Sequence, residues 1–244
     1  MLKRILQHFG YAIFLFGLAS GSLVQAATYV NQTRLIIDEN TRDVTFSVIN
    51  EGTSPTLMQL WSDRDNLLDR PEIIKMPFVI TPPVFRLEAG KSRAVRIQWT
   101  GDSSSLAKES ESLFWLNILE VPPKSANPTD ANVLQMAFRT RIKLLYRPSA
   151  IAKVTLLEGV KQLETATIPC AGKTCLRLKS RSPLHITLLN ITLNNGMQIN
   201  VLPHDGIIAP FSTLDIPLPD PQRSGQLQAA TWIDDYGVAN HFTK

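Results

Sequence analysis

Arg141 and Lys143 have the least ordinary setting of any charged residues in this chain, because both stand among apolar neighbours near the end of one hydrophobic stretch. Burying a charged side chain is costly unless it is paired. Cations of this kind form strong, charge-assisted hydrogen bonds with anionic groups such as carboxylates. A strand that keeps an apolar row and two cations is therefore predicted to do more than fill a protein core.

The residues before these cations have the two-residue period of a strand with one apolar face. Leu134, Met136 and Phe138 alternate with smaller or more polar residues, and alternate positions of a strand share a face. The stretch ends at Arg147 and Pro148, and a proline in this position ends a strand and begins a linker. The alternation alone favours two interpretations equally: the apolar row binds a partner, or it faces the core of its own domain.

The sequence shows no pattern typical of an enzyme. It contains no serine nucleophile elbow, no pair of catalytic carboxylates, no cysteine and histidine pair and no cluster with metal-ligand spacing. We therefore predict a protein that is not an enzyme, with no cofactor, no metal and no small-molecule substrate.

The two cysteines, Cys170 and Cys175, enclose four residues. In an oxidising compartment this spacing favours a disulfide across the tight end of a hairpin, and two free thiols are the alternative. A metal site would need further ligands, and the histidines show no useful spacing to the cysteines. Closing so short a loop is worth roughly 2 kcal/mol by chain-entropy arguments, so the bond would act as a local staple.

The first residues have the pattern of a secretory signal peptide. Lys3 and Arg4 precede an apolar stretch from Tyr11 to Leu18, and small residues lead to a cleavage site after Ala26. That stretch is too short to span a bilayer, although a retained anchor is the alternative. Removal of residues 1–26 takes away two cations and no acids, which lowers the formal charge from +4 to +2. This balance predicts neither nucleic-acid nor lipid binding.

The mature chain has the pattern of an all-β protein with two domains. Seven short strands separated by turn residues are typical of an immunoglobulin-like sandwich. We predict them at Thr33–Ile37, Asp43–Asn50, Thr56–Ser62, Phe78–Thr81, Ser92–Thr100, Leu113–Val121 and Val133–Tyr146. A hinge at Arg147–Ser149 would separate this domain, residues 27–147, from a smaller β domain, residues 148–244. Its strands are predicted at Ala152–Leu156, Cys175–Lys179, His185–Asn194, Gly196–Leu202, Thr213–Pro217 and Gln226–Ile233.

Two stretches are similar to one known family. The run Asn132–Pro148 and the segment Ile80–Val84 resemble the periplasmic pilus chaperones of the chaperone–usher pathway (PapD-like), and the resemblance covers nearly all of the mature chain. It implies two immunoglobulin-like β-sandwich domains in a boomerang arrangement, located in the periplasm and working without ATP. The short loop Pro122–Ala131 and the absence of cysteine from the first domain indicate the short-loop branch, which generally serves rod-like pili.

The resemblance also implies a function. Such a chaperone binds pilus (fimbrial) subunits by donor-strand complementation, protects them from aggregation and proteolysis, and delivers them to an outer-membrane usher. The alternatives are a structural pilus subunit or another exported immunoglobulin-like binding protein. A pilus subunit would be a single incomplete sandwich with an N-terminal donor extension, whereas this chain has two domains and an internal apolar row. The sequence leaves open which subunits are served and whether the free protein covers its strand by forming a homodimer.

The resemblance implies that Leu134, Met136 and Phe138 bind the subunit as the donor strand. It also implies that Arg34 and Lys143 hold the C-terminal carboxylate of the subunit. As isolated residues, the two cations would more often be solvated surface charges. Lys143 has the opposite parity to Leu134, so either the strand bulges or the cleft accepts the other face of the strand.

Glu111, Arg147 and Asp235 match the residues that form an ion network between the two domains of this family. Such a network fixes the angle between domains more than it raises stability, because desolvation offsets much of the Coulomb attraction. Independent surface charges are the alternative. A cis peptide bond before Pro82 is left open by the sequence.

Overall fold

The structure is a computed structural model that describes residues 28–64, 71–101, 106–124, 135–170, 172–218 and 225–244. The predicted signal peptide, residues 1–26, lies outside these ranges. The described residues form two β domains with separate hydrophobic cores. The predicted all-β, two-domain fold is confirmed.

The first domain is a sandwich of two sheets. Its strands are β1 (Thr28–Val30), β2 (Arg34–Asp38), β3 (Asp43–Asn50), β4 (Thr56–Asp63), β5 (Phe78–Thr81), β6 (Val84–Leu87), β7 (Ser92–Trp99), β8 (Ser112–Val121) and β9 (Phe138–Arg147). One sheet has the order β1-β3-β7-β5, and the other has the order β2-β9-β8-β4-β6. Alternate residues of both sheets fill the core, where the rings of Trp99 and Tyr146 lie 4.6 Å apart between centroids.

The first strand of the sandwich is divided between the two sheets. β1 pairs antiparallel with β3 in one sheet, whereas β2 pairs parallel with β9 in the other. A second change of sheet occurs at Pro82 and Pro83, which lie between β5 and β6. Proline cannot donate a hydrogen bond to a central ladder, and both of these strands lie at sheet edges. The Thr81–Pro82 peptide bond is cis.

The second domain begins with a 3-10 turn (Ser149–Ile151) and one short helix, α1 (Leu156–Lys161). Its strands are β10 (Glu164–Cys170), β11 (Lys173–Lys179), β12 (Ile186–Leu193), β13 (Gln198–Asn200), β14 (Ile207–Ile208), β15 (Thr213–Pro217), β16 (Leu227–Ile233) and β17 (Ala239–Thr243). One sheet has the order β10-β11-β15. The other has the order β13-β12-β16-β17, with β14 also paired to β12.

Three details differ from the sequence-based expectations. The strand predicted at Ala152–Leu156 is wrong, because Thr155 and Glu158 form a capping box that begins α1. β9 begins at Phe138, so Gln135–Ala137 of the predicted strand are not in it, and the predicted start at Val133 lies outside the described residues. Five strands were not predicted, namely β1, β6, β10, β14 and β17. Most of these are short, and β10 carries few apolar residues, so its alternation is weak.

A candidate carboxylate-binding cleft between the domains

The register of β9 decides which side chains reach the cleft between the domains. β9 pairs antiparallel with β8 without a shift over its whole paired length. Ile142 and Leu144 pack in the first-domain core, so Lys143, between them, points to the opposite face. Between Phe138 and Tyr146 the strand therefore does not bulge. Phe138 of the apolar row and Lys143 therefore lie on opposite faces of β9, and the cleft between the domains lies against the face that carries Lys143.

Arg34 and Lys143 lie side by side on neighbouring strands. The parallel pairing of β2 with β9 makes them direct partners. Lys143 Nζ donates a hydrogen bond to Thr187 Oγ1 at 2.6 Å, and Arg34 Nη1 donates to the carbonyl oxygen of Ile233 at 3.3 Å. Both acceptors belong to the second domain. The two cations are only 6% and 8% exposed, respectively, so they are buried rather than solvated surface charges.

These two cations lack acidic partners within the described ranges of the chain, where no carboxylate oxygen lies within 4.0 Å of either charged group. Arg34 Nε is buried without a hydrogen-bond acceptor. Burial, together with the neighbouring charge of Arg34, lowers the pKa of Lys143 to about 8. Burial also lowers the pKa of Arg34. Two adjacent buried cations would gain from an anion in contact with both.

The apolar row reaches this pair along an open strand edge. Met136 and Phe138 are 48% and 45% exposed. β2 pairs with β9 only over Lys143–Arg147. Among the described strands, none pairs with the same edge of β9 over Phe138–Ile142. Leu134, the third member of the predicted row, lies outside the described residues.

Cavities adjoin the first-domain sheet that contains β9 at the start of this strand and between the domains. One, of about 140 Å³, lies at the start of β9 and is lined by Thr28, Tyr29, Val30, Val48, Ile118, Glu120, Phe138, Arg139 and Thr140. The other, of about 550 Å³, lies between the domains, and its walls include Leu113 and Trp115 of β8 and His185 and Ile207 of the second domain. The first cavity thus leaves open space beside Phe138, and the second separates β8 from the second domain.

The structure brings Glu111, Arg147 and Asp235 together between the domains. Arg147 Nη2 donates to Glu111 Oε1 at 2.8 Å, and Arg147 Nη1 donates to Asp235 Oδ2 at 2.8 Å. The Glu111 side chain is 0% exposed. His185 completes the group, because its backbone N–H and its ring Nδ1 each lie 3.0 Å from Glu111 Oε2. No local pattern in the sequence indicated His185, which is distant from Glu111 along the chain.

This arrangement favours the charged forms of both main partners. Burial opposes ionisation of Glu111, but the hydrogen bond of His185 and the charge of Arg147 hold the pKa of Glu111 below its usual value. Burial likewise acts to lower the pKa of Arg147, but hydrogen bonds to Asp235 and the charge of Glu111 raise it above its usual range. Glu111 and Arg147 are therefore a buried pair of opposite charges, and Asp235, whose side chain is 32% exposed, also pairs with Arg147.

A tight hairpin between β16 and β17 holds Asp235 in place. The Asp234 carboxylate accepts the backbone N–H of Val238 at 2.8 Å, which closes the turn. Gly237 has a φ of 83°, and a Cβ added there would lie 2.6 Å from Thr33 Oγ1 in the first domain. Only glycine fits this close approach. No sequence pattern indicated Asp234 or Gly237.

The predicted disulfide is present. Cys170, the last residue of β10, is bonded to Cys175 in β11. The two strands are antiparallel neighbours, so the bond closes the end of their hairpin. Ala171, within this loop, lies outside the described residues.

In the described part of the chain, no three histidine, cysteine or acidic residues are placed to hold a metal ion. Nor does any helix there have the length and hydropathy needed to cross a membrane.

Comparison with known proteins gives one consistent result. The family described as "Pili and flagellar-assembly chaperone, PapD N-terminal domain" matches residues 27–152, and the family described as "Pili assembly chaperone PapD, C-terminal domain" matches residues 159–244. The chaperone protein MrkB of Klebsiella pneumoniae is 32% identical over 97% of this chain and 96% of its own length. The chaperone protein PapD of Escherichia coli is 42% identical over 68% of this chain and 66% of its own length.

Solved structures agree. The CupB2 chaperone of Pseudomonas aeruginosa has a TM-score of 0.71 and 28% identity, covering 88% of this chain and 98% of that one. The SafB chaperone of Salmonella enterica, solved in complex with the SafA pilin, has a TM-score of 0.71 and 25% identity, covering 91% and 99%. These matches are to chaperones and not to enzymes, as the sequence predicted. The chain belongs to the PapD-like family of pili assembly chaperones.

Proposed function

We propose that this protein is a periplasmic chaperone that binds pilus subunits, completes their fold with the first half of β9 and the residues just before it, and delivers them to an outer-membrane usher. The observation that carries the proposal is the pair of buried cations, Arg34 and Lys143, at the end of an open strand edge. Membership of the pilus chaperone family supports pilus subunits as the partners, and SafB, a relative, was solved with a pilin bound.

The proposed contact begins with strand addition. A pilus subunit that lacks one strand of its sandwich exposes an apolar groove, which would otherwise aggregate. The open edge of β9 offers backbone hydrogen bonds worth roughly 0.5–1.5 kcal/mol each. Met136 and Phe138, followed back along the chain by Leu134, would enter the groove. Each buried side chain would contribute about 1.5–3 kcal/mol.

The end of the bound strand is fixed by charge. In our proposal the terminal carboxylate of the pilus subunit binds Lys143 Nζ and the Arg34 guanidinium, which have no acidic partner in the described residues. Charge-assisted hydrogen bonds of this kind contribute roughly 1.5–3 kcal/mol each. The carboxylate therefore sets the register of the whole strand.

The role of the network of Glu111, Arg147 and Asp235 is to fix the angle between the domains. Thr187 and Ile233, which position the two cations, both belong to the second domain. A change in domain angle would move these acceptors away from the cations. The network would thus keep the carboxylate site assembled before a pilus subunit arrives.

The remaining parts of the proposal concern the cell. The protein would reach the periplasm after cleavage of residues 1–26 and hand its bound pilus protein to the usher. When free, two copies would cover each other's open β9 edges in a self-capping homodimer. A concentration series in light scattering, with and without a pilus subunit, tests the dimer, because the added partner should convert it to a one-to-one complex.

The central experiment measures binding of a peptide with the last residues of a pilus subunit, its terminus either free or amidated. Amidation should weaken binding to the wild type by about tenfold or more, because it removes the negative charge that Lys143 and Arg34 would bind. It should have much less effect on Lys143→Ala. Lys91→Ala, which changes an exposed lysine of the same domain, is the matched control and should behave as wild type. Equal losses from amidation in wild type and Lys143→Ala would refute the proposed carboxylate site.

A further inference from the structure

Alternation of side chains cannot by itself fix where a strand stops. A slip of one residue turns the apolar row of a strand to the wrong face. A slip of two residues, about 6.6 Å, restores the same faces. A strand bound along β9 could therefore sit two residues short of its correct position and still bury its apolar row. Only the anchor at its end distinguishes these two registers.

A second cation stands where such a slip would place the carboxylate. Arg141 lies two residues before Lys143 on β9, so the two side chains share a face of the strand. The guanidinium of Arg141 stacks on the ring of Trp115, with its Cζ 4.5 Å from the ring centroid. Trp115 is the cross-strand neighbour of Lys143. A free guanidinium at this point would compete with Lys143 for the carboxylate.

Arg141 differs from Lys143 because its guanidinium already forms an ion pair with an acidic side chain. Arg141 Nη2 forms an ion pair with Asp63 Oδ1 at the end of β4, and the side chains are 19% and 4% exposed, respectively. Asn117 Nδ2 donates to the other oxygen, Asp63 Oδ2, at 2.7 Å and so orients the carboxylate. Asn117 is itself fully buried, and its Oδ1 has no hydrogen-bond partner. Such a costly polar arrangement is not needed for packing alone, because apolar residues of similar volume are often as stable as a buried ion pair.

We propose that Asp63 is a register-determining residue: it neutralises Arg141 and so leaves Lys143 and Arg34 as the site at which the terminal carboxylate of a pilus protein can bind. This inference rests on the proposed function. Arg139, two residues further back, is exposed, and ion pairs in exposed positions contribute little. The Asp63 carboxylate thus excludes the one slipped register that the strand pattern would permit.

The register can be measured by disulfide trapping. Thr140, exposed on the open edge of β9, is replaced by cysteine, and the two native cysteines are bonded to each other. Peptides with the last residues of a pilus subunit each carry one cysteine, moved along the peptide position by position. In the Thr140→Cys protein with Asp63 intact, one peptide position should trap fastest, and this maximum defines the native register.

Removal of Asp63 should create a second maximum. In Asp63→Asn the new maximum should lie two residues nearer the carboxyl end of the peptide, at about a tenth of the native rate or less, because the native site still has two cations. In Asp63→Asn combined with Lys143→Ala, the two maxima should be comparable, and amidation of the peptide should abolish the shifted one. Asp43→Asn, which breaks an Asp–Arg pair on the other sheet, is the control and should show only the native maximum.

Two results would overturn the inference. One is a single native maximum in the combined Asp63→Asn and Lys143→Ala protein. The other is a shifted maximum that persists when Arg141→Gln is added, since the slip would then not depend on Arg141. The added Arg141→Gln also removes both members of the buried pair, so it controls for loss of folding. Failure of the proposed function is separate, because it would appear as equal trapping of free and amidated peptides when Asp63 is intact.

Discussion

Lys143 should make binding of pilus subunits depend on pH in the mildly alkaline range. Its pKa in the free protein is lowered to about 8, chiefly by burial and then by the charge of Arg34. A carboxylate bound against the ammonium group favours the charged form, so binding raises this pKa. Affinity should therefore be fully present below pH 8 and should fall as the pH rises above it, by at most tenfold per pH unit.

The stability of the free protein should change in the opposite direction. The ordinary lysine pKa is 10.5, and the folded value is about 8. Between these values the folded state binds fewer protons than the unfolded state, so the free energy of unfolding rises with pH. A shift of this size corresponds to about 3 kcal/mol of cost at pH 7, lost progressively as the pH approaches 10.5. The charged form of Lys143 thus lowers the stability of the free protein, and a bound carboxylate would offset this cost.

The assay follows both quantities over pH 6.5–10. Fluorescence anisotropy measures the affinity of a pilus peptide that contains no lysine, tyrosine or cysteine, and chemical denaturation measures stability. Lys143→Arg is the control, because a guanidinium stays charged throughout this range, and its affinity should be nearly constant. Of the other charged groups near Lys143, Glu111 has a pKa held below its usual value, and the guanidinium of Arg34 stays charged over this range. An affinity that is flat from pH 7 to pH 10 in the wild type would refute the argument, as would a stability that falls over that range.

Three further outcomes are expected. Phe138→Ser should weaken capture of a pilus subunit in a pull-down while leaving the melting temperature nearly unchanged; a large loss of melting temperature with normal capture would show that the ring faces inward. Glu111→Ala should lower the free energy of unfolding by about 3–5 kcal/mol by leaving Arg147 underpaired, and a melting temperature within about a degree of wild type would contradict this. The intact mass of protein from periplasmic extracts should correspond to loss of residues 1–26 and one disulfide, and thiols that react without reductant would exclude the Cys170–Cys175 bond.

The limits of sequence periodicity are clear at β9. Alternation predicted a strand from Val133, but β9 begins at Phe138. The reason lies in its neighbour, because β8 ends at Val121 and is followed by two prolines, which have no N–H to donate. A strand can extend only as far as another strand pairs with it. Periodicity records which side chains share a face, whereas the partner's length decides where pairing ends.

The candidate site depends on contacts that no local pattern contains. Arg34 and Lys143 became neighbours through the parallel pairing of β2 with β9, which joins the two ends of the first domain. The sequence provided this pair only through resemblance to a family. His185 was missed because it reaches Glu111 from the other domain. Thr155 and Glu158, in contrast, have the spacing of a capping box, which is a local signal in the sequence for the start of a helix.

The charges along one face of β9 explain why binding would centre on a single position. Arg141 is paired with Asp63, and Arg147 is paired with Glu111 and Asp235. Lys143 lies between these two arginines, and its ammonium group donates to the hydroxyl of Thr187. Within the residues that the structure describes, Lys143 has no acidic partner. A carboxylate arriving at this face finds paired cations on both sides, and displacing their acids would leave buried charges without partners. In the proposed site, the free energy available to an anion would therefore be concentrated at Lys143 and at Arg34 beside it, where the open edge of β9 ends.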